Sequence, residues 1–456
     1  MHPSQSNQPT TSWSREDAER HLRSLELFGM RFGLDRMRRM MTALDSPERR
    51  FASVHVVGTN GKSSTTRMIA AILQRHGLRT GTYTSPHLIS YTERVQVDER
   101  DLQSGAFAAA ISRAARAAEH VNHTLEGDDH VTQFELLTAA ALWAMAEQEV
   151  EVAVIEAGLG GRYDATSVID SRVTVLTNVG LEHTRWLGPT VRDIAEEKLA
   201  VLRPGGTLVL GDGLAAEAEA VAERVAGERD APIVRAAAEP PAGISPAARG
   251  SFQRRNFALA HTAAEAYLRV AGIEPRADAV RRAASATVVQ GRLQVVGEDP
   301  LTVLDGAHNP DATRALVEAL PEILDARPPR PVGLVLGVLE DKDAARMLGA
   351  LLPICERAWF TAPPSSRALS PAALQSLARQ IGFDAVVCEP EPGRALEAAQ
   401  RWARERGERA AVLATGSVYL VGDLLDRLGG AEDRAPVEGS GASVGSPDWP
   451  VRRSVR

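Results

Sequence analysis

Strand-length apolar runs alternate with helix-length amphipathic runs along nearly the whole chain, which predicts an α/β protein with mostly parallel sheets covered on both faces. Two further observations shape that expectation. The pattern restarts near Leu301, where LTVLD, PVGLVLG, RAWFTAP, DAVVCEP and AAVLATG follow one another with helices between them. The stretch VVQGR (residues 288–292) separates a helix from that second series, which places the boundary around residues 287–291. Two domains joined by a hinge are therefore expected, a larger one over residues 14–289 and a smaller one over 290–428. Residues 1–13 are polar and residues 429–456 are rich in Gly, Ser and Pro, so both ends are expected to be disordered.

The elements of the first part read in order. Ser14, with Asp17 three positions on, marks a capped helix over residues 14–29, and Leu34, Met37, Met41 and Leu44 make a helical apolar stripe. Methionines at that spacing read as core filling. VHVV is a strand closed by a glycine loop, and a helix over residues 64–76 follows and stops at Gly77. TGTYT is the next strand and runs into SPHLISYTERV. The helical stretch FELLTAAALWAMAEQE precedes the strand VEVAVIE; VTVLTNV is another strand, followed by a helix over 191–202 and the turn and strand RPGGTLVLG.

The totals suit such a protein. The 456 residues are 44% hydrophobic and 24% charged, enough for more than one core. Lys and Arg number 52 against 59 Asp and Glu, a net charge of −7 that argues against a nucleic-acid partner. Only Cys355 and Cys388 occur, with no CxxC, so neither a disulfide framework nor a zinc site is expected and a reducing cytoplasm fits. The N-terminus lacks the pattern of a signal peptide, and no run approaches the ~20 apolar residues of a membrane helix.

Five features carry chemistry. GTNGKSS lies between a strand and a helix, the setting in which backbone N–H groups and a helix N-terminus face phosphate while Lys62 neutralises it. Val56 stands where GxxxxGK[ST] would have its first glycine, so this loop is a shorter variant. Glu156 ends an apolar strand, where a phosphate site needs an acid for its metal. His183 follows a further strand in GLEHTRWLGPT. Lys198 lies on the stripe Val191, Ile194, Lys198, Val201 and Leu202 that faces the protein; a buried lysine needs a depressed pKa or a partner, and beside a metal it can take up CO₂ as a carbamate. Asp305 and His308 sit in LTVLDGAHNP at another strand end. Singly, each also fits a bland role: a glycine turn, a strand-end acid, a surface histidine, a lysine snorkelling along its helix.

Together, GTNGKSS, TSPHL, IEAGLGGRYDAT, LEHTRWLGPT with IAEEK, QRRNFALA, QGRL, DGAHNP, GVLEDKD and TGSVYLVG resemble folylpolyglutamate synthase and its bifunctional form with dihydrofolate synthase, among the Mur-type ATP-dependent amide ligases. The resemblance spans residues 14–428. It implies an N-terminal P-loop-type ATPase domain with a smaller C-terminal Rossmann-like domain, acting as an ATP-dependent acid–amino-acid ligase. ATP would phosphorylate a carboxylate of dihydropteroate or a reduced folate, and L-glutamate would attack the acyl phosphate. The cofactors implied are ATP and one or two Mg²⁺ ions, and K⁺ is admitted as well; a cytoplasmic monomer is expected.

Carried over by position, the resemblance assigns ATP binding to Gly58, Thr59, Asn60, Gly61, Lys62, Ser63, Ser64, Asn256, Arg292, Asp305 and His308. It assigns the metal to Ser85, Glu156 and His183 with Ser63 or Ser64, catalysis to Lys62, Lys198 and His308, and carbamylation to Lys198. The pterin pocket would involve Phe32, Gly33, Thr132, Gln133, Phe134, Glu135, Tyr163, Asp164 and Ala165, with Ser417 near the incoming amino acid. A ligase with only one of the two folate activities, another Mur-type amino-acid ligase, and an ATP-binding regulatory module stand as alternatives.

Overall fold

A computed structural model describes residues 13–25, 33–324, 330–407 and 409–432. Two sheets organise it. The first has eight strands: β1 (Ala52–Val57), β2 (Thr80–Tyr83), β3 (Val95–Val97), β4 (Arg100–Asp101), β5 (Val152–Glu156), β6 (Ser171–Leu176), β7 (Thr207–Leu210) and β8 (Ile233–Arg235), in the order β4-β3-β2-β5-β1-β6-β7-β8. From β2 to β8 every pairing is parallel, whereas β3 and β4 add an antiparallel edge. The second sheet contains β9 (Gln294–Glu298), β10 (Leu301–Leu304), β11 (Val332–Leu336), β12 (Arg357–Phe360), β13 (Val386–Cys388) and β14 (Ala411–Thr415), in the order β13-β12-β11-β14-β10-β9, and only β9 runs antiparallel.

The central strands are continuous apolar runs because helices cover both of their faces. On one side, Met68, Ile69, Ile72 and Leu73 of the helix Lys62–Arg75 pack with Phe257, Ala260 and Ala264 of the helix Ser251–Val270. On the other, the helices Ser104–Asn122 and Gln133–Glu147 cover the sheet, and Met37, Met40, Met41 and Leu44 are wholly or almost wholly buried against them. The methionine stripe is core, as its spacing indicates. Among the described residues no helix is long and apolar enough to cross a membrane.

Several sequence expectations need correction. The first helix is Arg15–Ser24, with the capping box of Ser14 and Asp17 in place, and it ends where Leu25 turns extended; residues 26–32 lie outside the described residues. The helix after the glycine loop begins at Lys62 rather than 64, and the later one is Val191–Leu199. The last helix, Val418–Glu432, runs past residue 429, where a loose tail was expected; residues 1–12 and 433–456 lie outside the described residues. The short strands β3, β4, β8 and β9 carry no long apolar run to announce them, and tertiary pairing makes them strands.

A buried ion pair ties the first helices to this core. Arg36 Nε lies 3.0 Å from Glu135 Oε1, with Asp129 3.1 Å from Arg36 Nη1, and the Arg36 and Glu135 side chains are 7% and 9% exposed. Glu135 also closes a capping box with Thr132 at the start of Gln133–Glu147. Glu135→Ala is therefore expected to cost about 2–4 kcal/mol, because it removes one of the two carboxylates on a buried guanidinium and opens the helix cap. Denaturant unfolding measures this, and a loss below about 1 kcal/mol, the level of an exposed pair, would contradict it.

Candidate active site

The carboxyl ends of β1, β5, β6 and β10 open into one cleft of about 660 Å³. Strand β1 ends at Val57, and Gly58 to Gly61 turn the chain into the helix Lys62–Arg75. Two glycines are required there. A Cβ on Gly58 (φ +150°) would sit 1.8 Å from Thr177 Oγ1, and one on Gly61 (φ +81°) would sit 2.5 Å from Asn256 Oδ1. The segment after β6 braces the loop. Thr177 Oγ1 donates to the Asn60 carbonyl (2.7 Å), Asn178 Oδ1 accepts from Asn60 N–H (2.9 Å), and Gly180 N–H donates to Thr59 Oγ1 (3.0 Å). Lys62 Nζ rests on the Thr59 carbonyl at 3.1 Å.

Glu156 closes β5 beside this loop and is 2% exposed. Ser63 Oγ donates to its Oε1 (2.9 Å) and Ser85 N–H to its Oε2 (3.1 Å). Burial raises the carboxyl's pKa, and the Lys62 charge and these hydrogen bonds oppose the rise. Of the two candidate hydroxyls, Ser63 is the one joined to Glu156. Ser64 lines the same cleft and is 3% exposed. A carboxylate, two serines and solvent make an oxygen-rich set that fits Mg²⁺, which keeps several waters. His183, in a left-handed conformation (φ +53°), lines the cleft, and its Nε2 lies 3.8 Å from Glu182 Oε1.

Lys198 is not a surface lysine snorkelling along its helix. It is 4% exposed, and its ammonium donates to the Gly58 carbonyl at 2.8 Å. Burial, with the nearby Lys62 charge, lowers its pKa to about 7.

The second sheet supplies the opposite wall. Asp305, 2% exposed, accepts from the Leu293 and Ala307 N–H groups, both at 2.8 Å; burial raises its pKa and Arg292 opposes that. Arg292 donates to the Gly291 carbonyl (3.0 Å), and Asn256 to Gln253 Oε1 (2.9 Å). His308 Nδ1 bonds the Gly306 carbonyl (2.9 Å), and burial lowers its pKa to about 4, so at neutral pH the ring is uncharged and presents Nε2 as an acceptor. The walls touch through paired amides: Asn309 Nδ2 donates to Asn60 Oδ1 (2.9 Å), and Asn60 Nδ2 to Asn309 Oδ1 (3.4 Å).

The residues assigned to the pterin and glutamate lie outside the cleft lining. Phe32 falls outside the described residues, and Gly33 (φ +130°) borders them. Thr132 and Glu135 cap a helix, while Gln133 donates to the Leu22 carbonyl at 2.7 Å. Phe134 abuts Gly158, where a Cβ would sit 2.5 Å from its ring, so this side chain borders the cleft wall. Asp164 is buried and shapes the glycine loop, accepting from Leu159 N–H (2.8 Å), Thr166 N–H (3.0 Å) and the Thr166 hydroxyl. Tyr163 is exposed and Ala165 buried. Ser417 is buried and accepts from Tyr419 N–H at 3.2 Å.

Other cleft residues escaped the sequence reading. Glu182 faces Lys342 of the second half at 2.8 Å and His308 at 3.7 Å. Burial would raise its pKa, but the basic groups around it win and hold it at about 2; because His308 is neutral, Lys342 is the standing charge. Thr177 and Asn178 looked like the end of a strand, and Arg67, also in the lining, interrupts an apolar helix face without a motif. GVLEDKD, which contains Lys342, was the available signal.

Comparisons with known proteins agree with this architecture. Residues 56–210 match the Mur ligase middle domain, and residues 291–418 match the Mur ligase glutamate ligase domain. The dihydrofolate synthase/folylpolyglutamate synthase of Escherichia coli K12 is 31% identical over 92% of this chain and 96% of its own length. The solved structure of Mycobacterium tuberculosis folylpolyglutamate synthase complexed with ADP is 29% identical, with a TM-score of 0.84 over 91% of this chain and 98% of that one. The bifunctional folylpolyglutamate synthase/dihydrofolate synthase of Yersinia pestis, complexed with AMPPNP and a Mn ion, is 28% identical, with a TM-score of 0.77 over 93% of this chain and all of that one. The chain belongs to the folylpolyglutamate synthase/dihydrofolate synthase family of ATP-dependent Mur-type ligases.

Proposed function

We propose that this ligase carries both activities of its family, joining L-glutamate to dihydropteroate and extending reduced folates, each through an acyl phosphate. The observation that carries the reading is the convergence of the Gly58–Ser64 loop and buried Glu156 with the Asp305–His308 turn across one cleft. Residues 14–289 and 290–428 are the two domains in this reading, and the enzyme works as a cytoplasmic monomer.

The Gly58–Gly61 loop and the helix N-terminus hold the ATP phosphates, and Lys62 leaves the Thr59 carbonyl to neutralise the group being transferred. Asn256, Arg292 and Asp305 hold the rest of the nucleotide. Ser63, Ser85, Glu156 and His183 hold a divalent cation, whose chemistry is to neutralise phosphate charge during transfer. Neutral Nε2 of His308 accepts a hydrogen bond from the amino group of the incoming glutamate, with Ser417 nearby. Contact between the two walls shields the acyl phosphate from water. The pterin would lie by Gly33, residues 132–135 and 163–165.

Lys198, with a pKa of about 7, is largely a free amine above that pH and can add CO₂ to give a carbamate. In ¹³C-bicarbonate a carbamate resonance is expected at pH 8, fading as pH falls through about 7 and missing in Lys198→Ala. That variant should lose most activity and regain part of it with short carboxylic acids. A silent spectrum at pH 8 with a fully active alanine variant would make Lys198 purely structural.

ADP formation with ATP, Mg²⁺ and L-glutamate tests the function itself. Turnover is expected with dihydropteroate and with tetrahydrofolate, and only when glutamate is present. Turnover with one acceptor alone would reduce the assignment to one activity; turnover indifferent to both would overturn it.

A further inference from the structure

The loop of residues 85–90 touches two distant parts of the molecule. At one end, Ser85 N–H donates to Glu156. Over its second half, the buried carboxylate of Glu93, just after the loop, collects three backbone N–H groups, from Leu88 (2.9 Å), Ile89 (2.9 Å) and Ser90 (2.7 Å), which fixes the loop's shape. From there the Leu88 side chain leaves the first sheet and packs on the second half's apolar cluster, which includes Leu420, Val421 and Leu424.

The fit leaves no slack. A Cβ on Gly422, in the helix Val418–Glu432, would lie 2.0 Å from the Leu88 carbonyl oxygen. A Cβ on Gly291, in the connection between the sheets, would lie 3.1 Å from Leu88 Cδ2 and 3.0 Å from Val421 Cγ1. Helix backbone thus meets loop backbone directly, and Leu88 fills the space beside the connection.

We infer that Leu88 and Gly422 are positioning residues: seating Leu88 on the second half sets the 85–90 loop, and through it the place of Ser85 against Glu156. The contact makes the cation site depend on closure of the two halves. A link of this kind transmits closure because Glu93 locks residues 88–90, with Leu88 seated on the second half and Ser85 held against Glu156. The inference rests on the assignment of Ser85 and Glu156 to a divalent cation.

The test uses Leu88→Ala, Gly422→Ala and Leu88→Met in the full chain. Mn²⁺ affinity in the presence of ADP is read by electron paramagnetic resonance, and ADP affinity without metal by calorimetry. The alanine variants should bind Mn²⁺ at least about fivefold more weakly and raise the half-saturating Mg²⁺ for turnover by a similar factor. Their metal-free ADP affinity should stay within about twofold of the parent, and Leu88→Met should restore both metal readings. Parent-like Mn²⁺ affinity in Leu88→Ala overturns the inference, even if turnover falls, and that variant decides the matter if Gly422→Ala fails to fold. A parent enzyme that binds no Mn²⁺ overturns the cation assignment as well, so the two failures are told apart.

Discussion

A carboxylate buried at the end of a central strand has to be held by something, and much of the first half is arranged around holding Glu156. Ser63 reaches it from the start of a helix and Ser85 from the loop after β2, so three elements meet at one acid. Burial opposes its charge, and the nearby Lys62 ammonium favours it. Burial likewise opposes the charge on Lys198, and the nearby Lys62 ammonium adds to that, so its pKa falls to about 7. The cleft thus brings together a buried acid, a cation and a buried lysine whose pKa is lowered.

The halves of the molecule meet through contacts of different kinds. Asn60 with Asn309 and Glu182 with Lys342 are polar and line or flank the cleft, so ligands can compete for them. Leu88 is apolar and sits at the connection between the sheets. The two halves therefore meet both through polar pairs and through a packed apolar contact beside the same cleft. Inter-domain surfaces of this mixed character are where relative motion is ordinarily found.

Much of this was legible in the sequence. Long apolar runs announced the central strands, Ser14 and Asp17 announced a cap, and GTNGKSS announced a glycine turn between a strand and a helix. DAVVCEP announced the edge strand β13, whereas β3, β4 and β8 were silent because two or three residues carry no periodicity, and β9 because its five residues include Gly297 and end in Glu298. Lys198 was legible as a lysine on the inward stripe, but its partner, a carbonyl 140 residues away, was not. Glu182 and Lys342 were hidden for the same reason, since an ion pair across 160 residues leaves no local pattern. Glu135 and Asp164 lay in motif segments, yet geometry shows their carboxylates engaged in a buried ion pair and a loop brace, facts that only tertiary contact supplies.

In the reaction proposed for this ligase, a substrate carboxylate takes the γ-phosphoryl group of ATP before the amine attacks. An acceptor labelled with ¹⁸O in the reacting carboxylate tests it most directly, with the released phosphate analysed by mass spectrometry. Transfer through an acyl phosphate predicts one labelled oxygen in each phosphate formed with the amide. Phosphate free of label, at full amide yield, would contradict the account.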